Sequence, residues 1–354
     1  MKKNLLKKLL IILHSEEKVD LSYVNEILSD SINQNSRRQF IEIINCLREK
    51  SIEKVINFDE SIIHLSFNNI KSKLLVNVDE NGKLTRLEID PVIPNFDDLK
   101  GLSDSLWKLN SETYLCHYDL HEQFRTNSNK EKFAIASLIK VVVGVIILEA
   151  IEIGLIDIDA TYSISQYDLS YLSAGLSKQN IGQDISVREL LSYLFLASDN
   201  TAMDILLTFV TDQEFVELGK RIVDEFDIKI IPTRKMLRSA WCDPNLSEEI
   251  WRENSVKDVK WSEGFDYFIN PKLLNKFLKK LMSFKWTPYT ELSPIIYKGG
   301  NAPGVLSGFW GNRDTGKFVY FILNRDTPFN LIEELYCYQC MFQFLNKNIY
   351  GEKL

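Results

Sequence analysis

Phe133-Ala-Ile-Ala-Ser-Leu-Ile-Lys-Val-Val-Val-Gly-Val-Ile-Ile-Leu148 holds a single charge, at Lys140. A helix apolar on every side belongs inside a protein. Burying an unpaired ammonium there is costly unless the group sheds its proton. Helical spacing sets Ser137, three residues back, on the same face. A buried lysine beside a serine hydroxyl at a helix start has the chemistry of a Ser–Lys nucleophile, with burial lowering the amine toward a useful base. The competing reading is a lysine that snorkels to the surface. Spacing alone does not choose between them. Ser-x-x-Lys also occurs at Ser15–Lys18, Ser51–Lys54 and Ser105–Lys108, but only Ser137–Lys140 is embedded in apolar sequence.

The 354 residues suggest about two domains. With 45% hydrophobic and 26% charged residues, the composition is that of an ordinary globular protein. A net charge of −7 argues against a nucleic-acid partner, which needs clustered Lys and Arg. Lys2, Lys3, Lys7 and Lys8 open the chain, but Lys7-Lys8 interrupts the apolar stretch and no small-residue cleavage site follows. An amphipathic surface helix is therefore expected there rather than a signal peptide. No apolar run reaches the length of a membrane span, so no membrane insertion is expected. The five cysteines are scattered, which suits a reducing compartment and a cytoplasmic location, with export as the alternative.

Residues 1–92 are expected to form a small α+β domain. Helical periodicity covers Lys3–Leu13, Ser22–Leu28 and Arg38–Arg48, and strand alternation covers Ile62–Phe67, Lys73–Val78 and Leu84–Ile89. Asp79-Glu-Asn-Gly82 reads as the turn between the last two strands. Pro91 and Pro94 mark a linker at 93–97. Residues 98–354 read as a second domain, with helices near Leu99–Leu109, from Ser137, at Val187–Leu196, Ala202–Phe209 and Leu331–Leu345. Its strands fall near Thr113–Leu120, Ile295–Lys298, Val305–Trp310 and Lys317–Asn324. Strands that bracket a helical block imply one sheet completed from both ends of the domain.

Two further polar elements interrupt apolar sequence. Ser198-Asp199-Asn200 lies between Leu190–Ala197 and Met203–Leu207. It reads either as a helix junction in which Asp199 or Asn200 caps the next helix, or as a proton relay through Ser198 with Asn200 facing the substrate and Lys140. Lys298-Gly299-Gly300-Asn301 ends a strand. The glycines fit a bulge or turn, or a strand edge against which a ligand lies.

The order Ser-x-x-Lys, Ser-Asp-Asn, Lys-Gly-Gly resembles the active-site signature of class A β-lactamases and penicillin-binding proteins. The resemblance covers roughly residues 98–350. It implies an antiparallel sheet flanked by helices plus an all-helical subdomain. The layout is also similar to a narrower group in which a cystatin-like or ketosteroid-isomerase-like N-terminal domain precedes a β-lactamase-like domain, as in a serine hydrolase of the clavulanic acid gene cluster. Ile231-Pro-Thr-Arg234 and Lys298–Leu306 carry that likeness.

The roles it implies are Ser137 as nucleophile, Lys140 as base, Ser198 as proton donor to the leaving group and Lys298 as its electrostatic support. Asn200, Gly299, Gly300, Asn301 and Arg234 would contact substrate, and the backbone N–H groups of Ser137 and Asn301 would form an oxyanion hole. No cofactor or metal is implied. The expected partner is a small acyl compound (ester, amide or β-lactam), and a homo-oligomer is left open.

Two departures alter the expected chemistry. The family's deacylating glutamate lies about 34 residues past the Asn of the second motif; here that region is Ile231-Pro-Thr-Arg-Lys-Met236, without a carboxylate. Gly299 replaces the hydroxyl residue that grips a substrate carboxylate. The expectation is a serine hydrolase with weak or absent β-lactamase activity. The alternatives are a non-catalytic acyl or β-lactam sensor, or a biosynthetic enzyme acting on a β-lactam-related metabolite.

Other motifs rank lower. Cys116-His-Tyr-Asp-Leu-His121 suggests metal ligands, but strand followed by turn is simpler. Cys337-Tyr-Gln-Cys340 reads as buried thiols in a helix. Trp241, Trp251 and Trp261 read as core or lid packing.

Overall fold

The computed structural model describes residues 27–30, 32–33, 36–37, 39–41, 43–44, 54–59, 62–67, 70–241, 258–290 and 292–350. The helices expected at Lys3–Leu13 and over most of Ser22–Leu28, together with Trp251, lie outside the described residues. The chain divides into two units, residues 1–110 with 329–344 and residues 111–328 with 345–354. The linker read at 93–97 falls inside the first of these.

The first unit contains an antiparallel sheet in sequential order: β1 (Lys54–Asp59), β2 (Ile62–Phe67), β3 (Ile70–Val78) and β4 (Leu84–Pro91). Alternation in β3 buries Ile70, Ser72, Leu74 and Val76, as a half-buried strand requires. At the expected turn, the Asp79 carboxylate accepts the N–H groups of Asn81 and Lys83, and Gly82 takes φ 78°. Helix α1 (Leu99–Leu106) is capped by Asp98, whose side chain accepts the Gly101 N–H at 2.7 Å. The part of the last helix up to Phe344 also belongs here. Its Gln343 amide donates to the carbonyls of Pro94 and Phe96. Cys337 and Cys340 are free and buried.

The second unit holds a five-stranded antiparallel sheet. Its strands are β5 (Glu112–Asp119), β6 (His121–Thr126), β7 (Ile295–Ala302), β8 (Val305–Asn312) and β9 (Phe318–Asn324), in spatial order β7-β8-β9-β5-β6. Strands from both sides of the helical block thus complete one sheet, with β7 at one edge. Strands β8 and β9 are buried at every position, the pattern of strands covered on both faces. Sequence reading missed β6, whose polar, mostly exposed residues lack alternation; Leu120, with φ 60°, makes the hairpin turn into it.

The helical part comprises α2 (Ile139–Glu152), α3 (Val187–Leu196), α4 (Asn200–Leu206), α5 (Asp212–Ile222), α6 (Thr233–Ala240) and α7 (Pro271–Ser283). The C-terminal helix, α8, runs Leu331–Asn348. Reciprocal capping boxes start α3 (Ser186 with Glu189) and α5 (Thr211 with Glu214). Helix α2 is buried continuously from Ile139 to Ala150, as an all-apolar helix must be. Mid-helix glycine costs about 1 kcal/mol relative to alanine, and Gly144 is explained by close packing. A Cβ there would collide with the buried ring of Phe195 on α3. Gly144→Val is expected to lower unfolding free energy by about 1–3 kcal/mol in denaturant titration.

Candidate active site

The segment that delivers Ser137 is braced from three sides. Asn324 on β9 takes both backbone groups of Ala134: its Oδ1 accepts the N–H and its Nδ2 donates to the carbonyl, each at 2.9 Å. Ile135 N–H donates to the Tyr267 carbonyl at 3.0 Å, and Ser307 Oγ on β8 donates to the Ile135 carbonyl at 2.7 Å. Ala136 N–H donates to Asp266 Oδ1 at 2.8 Å. These bonds hold Ala136 in the left-handed region, φ 47°, where a non-glycine residue is strained. A 3₁₀ turn (Ala136–Leu138) then presents Ser137 just before α2.

Lys140 sits one turn on and is 1% exposed. Its Nζ donates to Ser137 Oγ at 2.9 Å and to Asn200 Oδ1 at 2.7 Å. Burial lowers its pKa to about 8, against an opposing pull from the Asp199 and Asp204 carboxylates. It does not snorkel. Asn200, at the start of α4, fixes its orientation by donating Nδ2 to the carbonyls of Tyr171 and Leu172. Asp199 is the helix cap: it accepts the Ala202 N–H at 2.8 Å and, through its other oxygen, those of Gly175 and Leu176. Ser198, before it, has φ 55° and Leu172 has φ 56°. Ala136, Leu172 and Ser198 are three of the five non-glycine residues with positive φ among the described residues, and all three adjoin this cluster.

Lys298 enters from the edge strand β7 and is 2% exposed. Its Nζ donates to Ser198 Oγ at 2.7 Å and to the Gly299 carbonyl at 2.6 Å. Burial, reinforced by the nearby Lys140 ammonium, pushes its pKa well below the ordinary lysine value. Gly300 is required for close approach: a Cβ would lie 2.5 Å from both the Ile135 carbonyl and Ser307 Oγ, and 2.8 Å from Leu138 N. The edge strand therefore packs directly on the nucleophile turn.

Ser137, Lys140, Ser198, Asn200, Lys298, Gly299 and Gly300 come together, with the exposed Asn301 following on the same strand edge. Arg234 is held elsewhere. Its guanidinium donates to the Tyr167 carbonyl, and it lines a separate cavity of about 330 Å³ with Asp168, Asp204 and Arg238. In the 231–236 loop, the N–H groups of Thr233 and Arg234 donate to the carboxylate of Asp204, four residues beyond Asn200 on α4. Burial raises the Asp204 pKa.

Sequence reasoning missed Asp204, Asp266, Asn324, Ser307 and Tyr289. The Tyr289 hydroxyl lies within hydrogen-bond reach of the carbonyls of Phe195 and Tyr297, either of which can accept its proton, and so links α3 to β7. All five act on backbone groups, which leave no spacing signal. The Cys116–His121 stretch is a hairpin in which Asp119 pairs with Lys317 at 2.9 Å. Among the described residues, no group of three or more His, Cys, Asp or Glu side chains is arranged to hold a metal ion, and no helix is long and apolar enough to cross a membrane.

The site thus combines a serine on a strained turn, a buried amine of lowered pKa against it, and a second serine–lysine pair opposite, the equipment of a serine acyl-transfer centre. Residues 100–227, which include Ser137, Lys140 and Ser198–Asn200, match the family model of the beta-lactamase enzyme family, so this part of the chain is β-lactamase-like. Solved structures with similarity include a beta-lactamase from Chitinophaga pinensis (17% identity, 70% of this chain and 97% of that one, TM-score 0.48). Another is a beta-lactamase from Sphaerobacter thermophilus (14% identity, 71% of this chain and 97% of that one, TM-score 0.47). No curated protein gives a significant sequence match.

Lys140 binds its proton more tightly in the unfolded chain, so the native state loses stability as pH falls from the ordinary lysine range through about 8. Lys140→Met removes that penalty. The difference in unfolding free energy between variant and parent should move in the variant's favour by roughly 2–3 kcal/mol between about pH 10 and pH 7, as read from denaturant titrations at both values.

Proposed function

We propose that the protein is a serine hydrolase or acyl transferase that works through an acyl-enzyme on Ser137. The observation that carries this reading is the 2.9 Å contact between Ser137 Oγ and the buried Lys140 amine. Neutral Lys140 takes the Ser137 proton as Oγ attacks the substrate carbonyl carbon. The resulting oxyanion is received by the backbone N–H groups of Ser137 and Asn301. When the tetrahedral intermediate collapses, the bond to the leaving group breaks and that group takes the Ser198 hydroxyl proton, which the Lys298 ammonium, 2.7 Å from Ser198 Oγ, replaces with one of its own. Water then attacks the ester on Ser137 and releases the acid.

The second half of the cycle is expected to be slow. Both oxygens of Asp204 accept backbone N–H groups, at 2.5 and 2.9 Å, which makes it a loop anchor rather than a base aimed at water. This favours ester or amide substrates with weak turnover of β-lactams. The same observation supports the second reading, an acyl or β-lactam sensor that stays acylated. A biosynthetic role on a β-lactam-related metabolite, as the two-domain resemblance implies, would be a special case of the first.

Intact-mass measurement after exposure to a penicillin and to an activated aryl ester tests the proposal. An adduct or product release that disappears in Ser137→Ala is expected, and persistence in that variant would refute it. Decay of the adduct over minutes selects the hydrolase, whereas survival for days selects the sensor. Because Lys140 must be neutral, the acylation rate should rise about tenfold per pH unit below about 8 and level off above it. Ser198→Ala should slow acylation by about 10²–10⁴, with the largest loss for leaving groups that need a proton.

A further inference from the structure

The partners that hold the turn before Ser137 differ in kind. Asn324, Ser307 and the Tyr267 carbonyl secure Ala134 and Ile135, and none of these groups changes charge near neutrality. Asp266 binds the N–H of Ala136, the residue that carries the positive φ, and it can ionise. Its Oδ1 accepts the N–H groups of Ala136 at 2.8 Å and of its own neighbour Tyr267 at 2.6 Å. The short strand Phe268–Ile269, paired antiparallel with Phe133–Ala134, sets it there.

Ala136 joins Ser137 through one planar peptide unit. If Ala136 relaxed to negative φ, that plane would turn and carry the Ser137 N–H and Oγ out of their present places. The bond to Ala136 N–H opposes this relaxation. A carboxylate holds an N–H roughly twice as strongly as a neutral acceptor, so the turn is held by a charge.

Among the described residues, no ion pair neutralises that charge. Asp266 lines a cavity of about 420 Å³ with Lys132, Asp227, Lys229 and Lys235, and Lys229 pairs instead with Asp212. Lys260 and Glu263, just before it in the chain, pair with each other at 3.0 Å. Asp204, across Tyr267, is taken up by the N–H groups of Thr233 and Arg234. Lys140 is directed to Ser137 and Asn200. Desolvated and without a counter-charge, the Asp266 carboxyl is pushed up to about 7.

We propose that Asp266 is a positioning residue for acyl transfer: its ionised carboxylate keeps the Ser137 turn in the reactive geometry, and its protonation weakens that hold. This rests on the acyl-transfer reading of Ser137.

The test compares the parent with Asp266→Asn, which keeps an acceptor but is never charged, in the rate of acylation by an activated aryl ester from pH 5 to pH 9. Asp266 is not among the groups that act on the Lys140 amine, so the ratio of the two rates cancels the Lys140 ionisation. The parent should be faster by about three- to tenfold above about pH 8, the difference between a charged and a neutral acceptor. The ratio should fall toward one below about pH 6. A merely structural role would leave it constant, and a constant ratio overturns the proposal. The ¹⁵N shift of the Ala136 amide in alanine-labelled parent gives a reading that needs neither variant nor acylation. It should inflect near 7, and a shift that stays flat from pH 5 to pH 9 also overturns the proposal. If Ser137→Ala is acylated like the parent, the acyl-transfer reading itself falls; if that variant is inert while the ratio is flat, only the role of Asp266 falls.

Discussion

The constraint on which the rest depends is the desolvation of Lys140. An ammonium in an apolar helix is tolerated only if hydrogen-bonded, and the fold supplies two acceptors, Ser137 Oγ and Asn200 Oδ1. The same burial that costs stability lowers the amine to about 8, within reach of neutral pH. Stability and reactivity are here opposite faces of one term, because the free energy that disfavours the charged amine is what leaves some of it free to accept a proton.

A base of this kind is useful only if the nucleophile stays in place, and much of the second unit serves that end. Residues 134–136 are bound by Asn324, Tyr267, Ser307 and Asp266, from β8, β9 and the strand at Phe268–Ile269 and its approach. None of these contacts touches a reacting atom. Together they hold Ala136 at φ 47°, a conformation the segment would not keep by itself. Asp266 is the most exacting member of this set. Burial raises its carboxyl to about 7 although three backbone N–H groups favour the charged form, so the brace on Ala136 is itself sensitive to protonation near neutrality.

Much of this was legible in the chain, and the limit is physical. The helix from Ser137, the junction at Ser198–Asn200 and the glycines after Lys298 declare themselves because each breaks a local hydrophobic pattern, and a broken pattern can be read without knowing the fold. Helix α3 was read at its observed bounds, Val187–Leu196, for the same reason. Strand β6 was missed because its residues are polar and mostly exposed, so no alternation marks it. From sequence Arg234 fits either a substrate anion or, better, a loop anchor, and its guanidinium donates to the Tyr167 carbonyl. Contacts from side chain to distant backbone, such as Asn324 to Ala134 across 190 positions, have no sequence period at all.

The glycines of β7 show how one residue type serves two ends on adjacent positions. Gly300 faces the nucleophile turn, where a Cβ would strike the Ile135 carbonyl, and any side chain would push the edge strand away from Ser137. Gly299 faces the other way, and what fills the space of its missing side chain is the phenol of Tyr297. Strand alternation makes this division unavoidable: successive residues point to opposite faces, so Lys298 and Gly300 turn toward Ser198 and the Ser137 turn while Tyr297 and Gly299 share the other side. The pleat of a single strand thus separates what touches the nucleophile turn from what packs against Trp310, and neither could be achieved by a side chain of ordinary size at both glycine positions.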